Sequence, residues 1–318
     1  MALVKASLLL GAVLLVGAGV FGRFVAPELR VHGGARTLQR SGVLAGVFVL
    51  LVGSVLDVAQ TLHTLVGHYD DVFLMEYLRF TRHGNATLLR FVLTATLAFL
   101  SLRLIDSGAY APHRRSTTPY GANYVYVSLS LGLLATFSWT SHAAALGGAP
   151  PLLADLAHFT AASAWPGAVF YLALVPDWRS GEQRADLTKA LRRVSALGLA
   201  CVVLLFLTGS YTSLIHLQNP IHFAASPYGE TLLYKLLLVV SIVGLAAYNR
   251  LWLLPAFLRG ELICRFQNVL RLEALTLVAV FVITGVLTTS ATPHEPGIQP
   301  TAFENLTTLL RYLGARLP

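Results

Sequence analysis

Ten histidines are the side chains of this sequence best suited to binding a metal ion. Imidazole nitrogen is a common ligand for copper, zinc, iron and nickel. Soft sulfur ligands are scarce: the two cysteines, Cys201 and Cys264, lack disulfide or thiolate-site spacing, and there are only two methionines. The sequence therefore predicts that any metal site uses histidine. The predicted metal ligands are His63, His142, His158, His216, His222 and His294.

Composition places these histidines among membrane-spanning helices. Of the 318 residues, 55% are hydrophobic and 12% are charged, whereas soluble chains carry about 25% charged residues. Apolar runs of roughly 20 residues are each long enough to cross a bilayer. They predict an all-α polytopic bundle of eight transmembrane helices that forms a single integral membrane domain over residues 1–318. The predicted spans are 6–21, 41–66, 86–105, 121–146, 152–175 and three between 190 and 293.

The joints between the spans carry their own signals. The Gly-Gly-Ala-Pro-Pro stretch at 147–151 predicts a helix break. Residues 67–85 and 301–318 are each predicted to form a helix at the membrane surface. Four arginines follow the first apolar run, which favours a retained span over a signal peptide.

Basic residues predict the orientation of the bundle. The joints after spans one, three, five and seven, with their flanking ends, hold 16 of the 23 lysines and arginines. Because cytoplasmic loops are enriched in these residues, both termini are predicted to be extracytoplasmic. Eight histidines then lie toward the outer side, and only His32 and His113 lie toward the inner side. The net charge of +8 thus reflects loop placement and does not point to nucleic acid.

Several spans carry polar side chains at helical spacing. Gln60 and His63 share one face of span two, with Asp57 one turn deeper, and carboxylates inside membranes usually have a functional reason. The alternative for Asp57 is a structural ion pair, for instance with Lys235. His158 and Trp165 share a face of span five; here the alternative is a histidine that only bonds a neighbour.

We expect His63, His142 and His158 to converge near the outer face, with Trp165 packed beneath them and Asp57 deeper. Lys235 is predicted to be a charge partner of this pathway. Thr208 and Gly209 are predicted to serve close helix packing. Toward the inner ends of the last three spans a structural ion-pair and hydrogen-bond network is predicted. Its members are Arg192, Arg193, Asn249, Arg250 and Glu273.

The order of these motifs resembles the copper resistance D (CopD) family of bacterial membrane proteins. In that family a basic pair opens one span, an aromatic-Gly and a lysine open the next, an Asn-Arg closes it, and a basic-x-Glu opens the last. The matching residues here are Arg192-Arg193, Tyr228-Gly229, Lys235, Asn249-Arg250 and Arg271-x-Glu273, within a CopD-like core at 190–293.

Two further elements resemble the same family. His158, six residues and Trp165 match its His-to-Trp element, although Pro166 precedes Gly167 and Ala168 replaces a second glycine. His142 stands in Ser-His-Ala, which is similar to a Gly-His-Ala of the family. The resemblance implies copper ion transport across, or copper handling at, the bacterial inner membrane through an outer-face histidine site. It also implies a periplasmic copper-binding partner of the CopC type. The other predicted partner is membrane lipid.

Other functions stay open at this point. Paired histidines such as His142 with His158, or His63 with His216, could hold a b-type haem. A non-transporting protein that relays metal to a partner or senses it is the third possibility. The sequence has no nucleotide-binding loop, catalytic triad or paired catalytic carboxylates, so an enzyme is not predicted.

Overall fold

The computed structural model describes residues 1–67, 71–106, 120–145, 147–176, 178, 181–217 and 226–290, and all regular structure in them is helical. This confirms the predicted all-α class. The helices are α1 (Ala2–Val20), α2 (Gly33–Val66), α3 (Asp71–Phe80), α4 (Arg82–Asp106), α5 (Tyr120–Trp139), α6 (His142–Ala145), α7 (Ala149–Leu174), α8 (Gly181–Leu217), α9 (Pro227–Tyr248), α10 (Leu254–Arg259) and α11 (Ile263–Leu287). Two π-helical segments, Phe21–Val25 and Asn249–Leu253, extend α1 and join α9 to α10.

Six helical stretches are long and apolar enough to cross a membrane. The predicted fourth and fifth spans coincide with α5 and α7, which are 20 and 26 residues long but are not among those six. The predicted surface helix before span three corresponds to α3, while the one at 301–318 lies outside the described residues. The six stretches are Ala2–Val25, Gly33–Val66, Arg82–Asp106, Gln183–Ile215, Pro227–Arg259 and Ile263–Leu287.

Helix boundaries follow local sequence chemistry. Gly147 and Gly148 both have left-handed φ values, of 76° and 80°, and the two prolines behind them occupy the first turn of α7. Glycine adopts this backbone without a Cβ penalty, and proline loses no helical bond at a first turn. Ser226 caps α9 by accepting a 3.0 Å hydrogen bond from the Gly229 backbone N–H.

Helix α1 lies at the centre and packs on α2, α7 and α11. Each contact is made at a glycine. A Cβ placed on Gly17 would lie 2.5 Å from the Cα of Gly167 in α7, and one on Gly11 would lie 2.9 Å from the backbone nitrogen of Leu50 in α2. A Cβ on Gly285 of α11 would lie 2.5 Å from the Ala2 carbonyl oxygen. Small residues let helix backbones approach closely, which is how helices associate in lipid.

Hydrogen bonds reinforce this central position. The Tyr171 hydroxyl of α7 donates to the Leu14 carbonyl, and the Tyr126 hydroxyl of α5 donates to the Val16 carbonyl, both at 2.9 Å. The buried Gln39 amide of α2 donates to the Ala18 carbonyl. Three helices are therefore fixed to one stretch of α1 by buried polar side chains, whose donors find a partner away from water.

Ion pairs between helices lie toward two ends of the bundle. At one end, called the Lys5 end, the start of α1 meets the end of α2 through Lys5 and Asp57. At the other, called the Arg193 end, the Arg193 guanidinium of α8 holds the Glu28 carboxylate in two bonds of 2.7 and 2.9 Å. Burial raises the pKa of Glu28, but the hydrogen bond and charge of Arg193 lower it by more, and the net shift is downward.

Replacing Gly167 with alanine should disturb the crossing of α1 and α7. The added methyl would meet the Gly17 backbone, which cannot move like a flexible side chain, so we expect a loss of about 1–3 kcal/mol in stability. Gly244→Ala is the matched control, because nothing lies within 4 Å of a Cβ there. Thermal unfolding of the purified proteins in detergent measures both; equal midpoints would contradict the close contact.

Acid should weaken the Arg193 end through Glu28. Because its pKa is lower in the folded protein, the carboxylate stabilises the fold above the ordinary glutamate pKa of about 4.3. That contribution disappears as the pH falls through the lowered value. Glu28→Gln should therefore reduce the loss of thermal stability between about pH 5 and about pH 3. Glu261→Gln, at the exposed Arg259–Glu261 pair, should leave the loss unchanged; identical curves for all three proteins would refute the role of Glu28.

Candidate functional site

His158 lies on α7 with its ring against α8. Its Nδ1 is 2.9 Å from the Thr208 Oγ1. Gly209 gives the ring its space, because a Cβ at this glycine would lie 3.4 Å from the His158 Cε1. The two neighbouring residues of α8 therefore have separate tasks: Thr208 orients the imidazole and Gly209 admits it. Close packing was predicted for both, and at Thr208 the structure adds the hydrogen bond to His158.

The hydrogen bonds of Thr208 determine the tautomer of His158. A hydroxyl has one hydrogen, and Thr208 donates it to the Leu204 carbonyl at 2.6 Å, the backbone bond that a helical threonine can make. With its hydrogen on the Leu204 carbonyl, the Thr208 oxygen accepts from the His158 Nδ1–H. The lone pair of the neutral ring is left on Nε2, the nitrogen that can bind a metal ion.

Charged and polar groups surround this ring. Lys235 of α9 lies near enough to act electrostatically on His158 and on Asp155, and Asp155 acts on Tyr228 at the start of α9. We call Asp155, His158, Thr208, Tyr228 and Lys235 the His158 cluster. Asp155 was not predicted as a site residue, although its position three residues before His158 on one helix was the available signal.

Trp165 continues the same face of α7. It is buried, and a Cβ at Gly198 of α8 would lie 2.8 Å from its Nε1. His158 and Trp165 thus both pack on α8 at a glycine. Two turns of helix separate them along α7.

Two of the other predicted ligands lie among the described residues with surroundings of their own. The His142 Nε2 is 3.3 Å from the Thr288 carbonyl oxygen beyond α11, and His63 is exposed near the end of α2. Among the described residues no three His, Cys, Asp or Glu side chains are grouped as a metal site, so convergence of His63, His142 and His158 stays a prediction. His222 and His294 lie outside the described residues, as does the side chain of His216.

Asp57 belongs to a second polar group at the Lys5 end. Its Oδ1 is 2.7 Å from the Lys5 Nζ, so the ion pair joins α2 to α1 and the suggested pairing with Lys235 is wrong. Arg90 of α4, which the sequence analysis missed, is 4% exposed and stacks 4.0 Å from the Phe137 ring. Nearby, the Gln60 Oε1 is buried with no hydrogen-bond partner among the described residues.

The network predicted for the inner ends separates into three contacts. Asn249 donates to Glu273 at 2.6 Å in the core. Arg193 binds Glu28, as described above, and Arg250 donates to the carbonyl and hydroxyl oxygens of Ser195, both at 2.9 Å. Arg192 is exposed. The Asn249–Glu273 pair is thus separate from the arginines that were expected to join it.

Comparison with known proteins adds a family to this geometry. Residues 188–287, from α8 to the end of α11, match the family model described as copper resistance protein D. The chain is 27% identical over 244 residues to the copper transport protein CutJ of Bacillus subtilis (strain 168), covering 76% of this chain and 43% of that protein. It is 32% identical over 178 residues to copper resistance protein D of Pseudomonas syringae pv. tomato, covering 52% and 57% respectively.

The chain therefore spans about half the length of the curated relatives that it matches. No solved structure matches it. The family region contains Thr208 and Lys235 of the His158 cluster, and also both members of the Asn249–Glu273 pair. With its apolar helices, the chain is thus a multi-pass membrane protein whose residues 188–287 match the copper resistance protein D (CopD) family.

Proposed function

We propose that this chain transports copper ions across the cell inner membrane, or handles them there, and that the ion binds at the His158 cluster. The observation that carries the proposal is the 2.9 Å contact between the His158 Nδ1 and the Thr208 Oγ1, because a ring that donates through Nδ1 keeps the lone pair of Nε2 for a metal ion. The choice of copper as the metal follows from the names of the relatives, because one is a copper transport protein and the other a copper resistance protein.

The ligand chemistry of the cluster suits copper. Imidazole is a copper ligand, and a hydrogen bond to its second nitrogen fixes the ring orientation and raises its basicity. Asp155 offers carboxylate oxygens three residues away on the same helix. The bound ion would thus meet one oriented nitrogen and a carboxylate at the Lys5 end of α7.

Lys235 gives the cluster its charge balance. A lysine inside a span is costly unless it faces a partner, and here its ammonium acts on Asp155 and His158. In the empty site the ammonium offsets the carboxylate. An arriving copper ion competes with it for Asp155, so Lys235 is the charge partner of the pathway and not a ligand.

For the whole bundle we propose eight spans with both termini outside the cytoplasm, by adding α5 and α7 to the six apolar stretches. Two findings support this. Helices α5 and α7 are long enough to cross a bilayer, and α7 packs beside the central α1. The outer side would then be the Lys5 end, where a periplasmic copper-binding protein of the CopC type could deliver the ion.

The relatives' names lend no support to the b-type haem alternative, whose presence would give a reducible Soret band in the absorption spectrum. A membrane relay or sensor would use the same ligand set without moving copper. Copper uptake into sealed vesicles separates these roles from transport.

Changing Thr208 to valine should weaken copper binding by about 10- to 100-fold, because valine cannot accept the Nδ1–H bond that orients His158. Thr208→Ser, which keeps a hydroxyl, should restore most of the affinity. His158→Ala should abolish binding, while His32→Ala at the Arg193 end should not change it. Copper titration of the purified proteins measures all four. Equal affinity in Thr208→Val and wild type would exclude this orientation of the ligand.

Cysteine labelling in intact cells tests the orientation. With Cys264 changed to serine, Gly147→Cys should react with a membrane-impermeant maleimide, because the α6–α7 joint faces outward. Glu261→Cys, in the α10–α11 joint, should react only after the cells are opened. Labelling in the reverse pattern would place the termini inside.

A further inference from the structure

The Glu273 carboxyl lies deep in the bundle. It is ten residues from the start and fourteen from the end of α11, which places it about 15 and 21 Å along the helix axis from the two ends. The residue is 2% exposed and neighbours Leu270 and Leu277 in the apolar core. A glutamate side chain cannot reach water from this depth.

Among the described side chains, no cation neutralises this carboxyl. Within the described ranges no lysine, arginine or histidine nitrogen lies within ion-pair distance of it. The charged groups on the surrounding elements have other partners. Arg193 binds Glu28, Arg250 binds Ser195, Arg259 pairs with Glu261 and Lys5 pairs with Asp57. Arg271, Arg184 and Arg23 donate to the carbonyls of Ala173, Phe257 and Ala122 respectively, and Arg265 stacks on Tyr248. On α7 and α9, Asp155, His158 and Lys235 belong to the His158 cluster.

Asn249 is the polar partner that remains. It donates one hydrogen bond to the Glu273 Oε2, and its own Oδ1 is buried with no partner among the described residues. Asn249 is the first residue of the π-helical segment that follows α9, and such segments occur frequently at functional sites. One neutral amide bond does not offset the cost of an ionised carboxylate in a low-dielectric interior.

An isolated carboxyl of this kind has one ready way to lower its energy, which is to bind a proton. When the carboxylate binds a proton it becomes the neutral acid, whose O–H is a new hydrogen-bond donor. The buried Asn249 Oδ1, which has no partner among the described residues, is an acceptor close by. The pair therefore suits both states: the amide N–H serves the ionised form, and the amide oxygen can serve the neutral form.

We propose that Glu273, held by Asn249, is a proton-binding site that is loaded and unloaded as the protein works. A second part of the proposal rests on the proposed function: protonation of Glu273 sets the pH dependence of copper transport. The carboxyl gains or loses one proton and no covalent bond to the protein changes. The second substrate is thus the proton. Its site lies apart from the proposed copper ligands, because Asn249 and Lys235 are about 21 Å apart along the axis of α9.

Infrared spectroscopy of the purified protein tests the site without copper. Wild type labelled with carbon-13 glutamate should show a carbonyl band of a protonated glutamic acid that falls as the pH is raised. Glu273→Gln, whose amide oxygen still accepts from Asn249, should lack that band. Glu261→Gln, an exposed glutamate in the Arg259 pair, should keep it. A band that is absent, that does not titrate, or that survives in Glu273→Gln would overturn the proposal.

Copper uptake by proteoliposomes at several pH values tests the coupling. We expect uptake by wild type and Glu261→Gln to vary with pH and uptake by Glu273→Gln to be flat over the same range. A wild-type pH profile in Glu273→Gln would refute the coupling. If wild type moves no copper while the titrating band is present, the proposal of copper transport is refuted and the proposal of a proton-binding site is retained. If Glu273→Gln folds poorly, labelled Asn249→Ala keeps the carboxyl and removes its hydrogen-bond partner. The titration of the band should then shift, and an unchanged titration would overturn the proposal.

Discussion

The close contact between Gly17 of α1 and Gly167 of α7 is the constraint on which the remaining packing depends. Lipid offers no hydrophobic drive for helices to associate, so stability must come from intimate contact and from satisfied polar groups. By touching nearly backbone to backbone, the two helices bring Tyr171 to the Leu14 carbonyl. The opposite face of α7 then presents Trp165 and His158 to α8. The proposed copper ligand is thus positioned from the centre of the bundle outward.

The bundle also provides partners for many of its charged side chains. Charged pairs lie toward the ends, as Lys5–Asp57 and Arg193–Glu28 do. Arg90 is buried, but Thr136 accepts from its Nε and the Phe137 ring faces its guanidinium. Against this background Glu273 is an exception, because it is a deep carboxyl with a neutral partner. Such exceptions are where membrane proteins place function.

The all-α class, the approximate helix positions and the family could be predicted from sequence, because long apolar runs and an ordered set of polar motifs are local signals. Partners across helices could not. Asp57 was suggested to pair with Lys235 on charge alone, but the crossing of α1 and α2 brings Lys5 to it. The inner network was expected to be continuous because its members share a depth. Helix rotation instead directs Arg193 and Arg250 away from Glu273. Thr208 was assigned to packing because a sequence does not show which ring faces a hydroxyl.

The π-helical segment Asn249–Leu253 gives the family's Asn-Arg motif an unusual sensitivity to length. Asn249 points into the core while Arg250, its neighbour in sequence, is exposed and bonds Ser195. The π-helical turn contains one residue more than an α-helical turn of the same rise would contain. Deleting a residue just before this segment would rotate it by about 100° relative to α9, and the two side chains would no longer face these partners. Substitutions at exposed positions of this segment are therefore tolerable during evolution, whereas insertions and deletions are not.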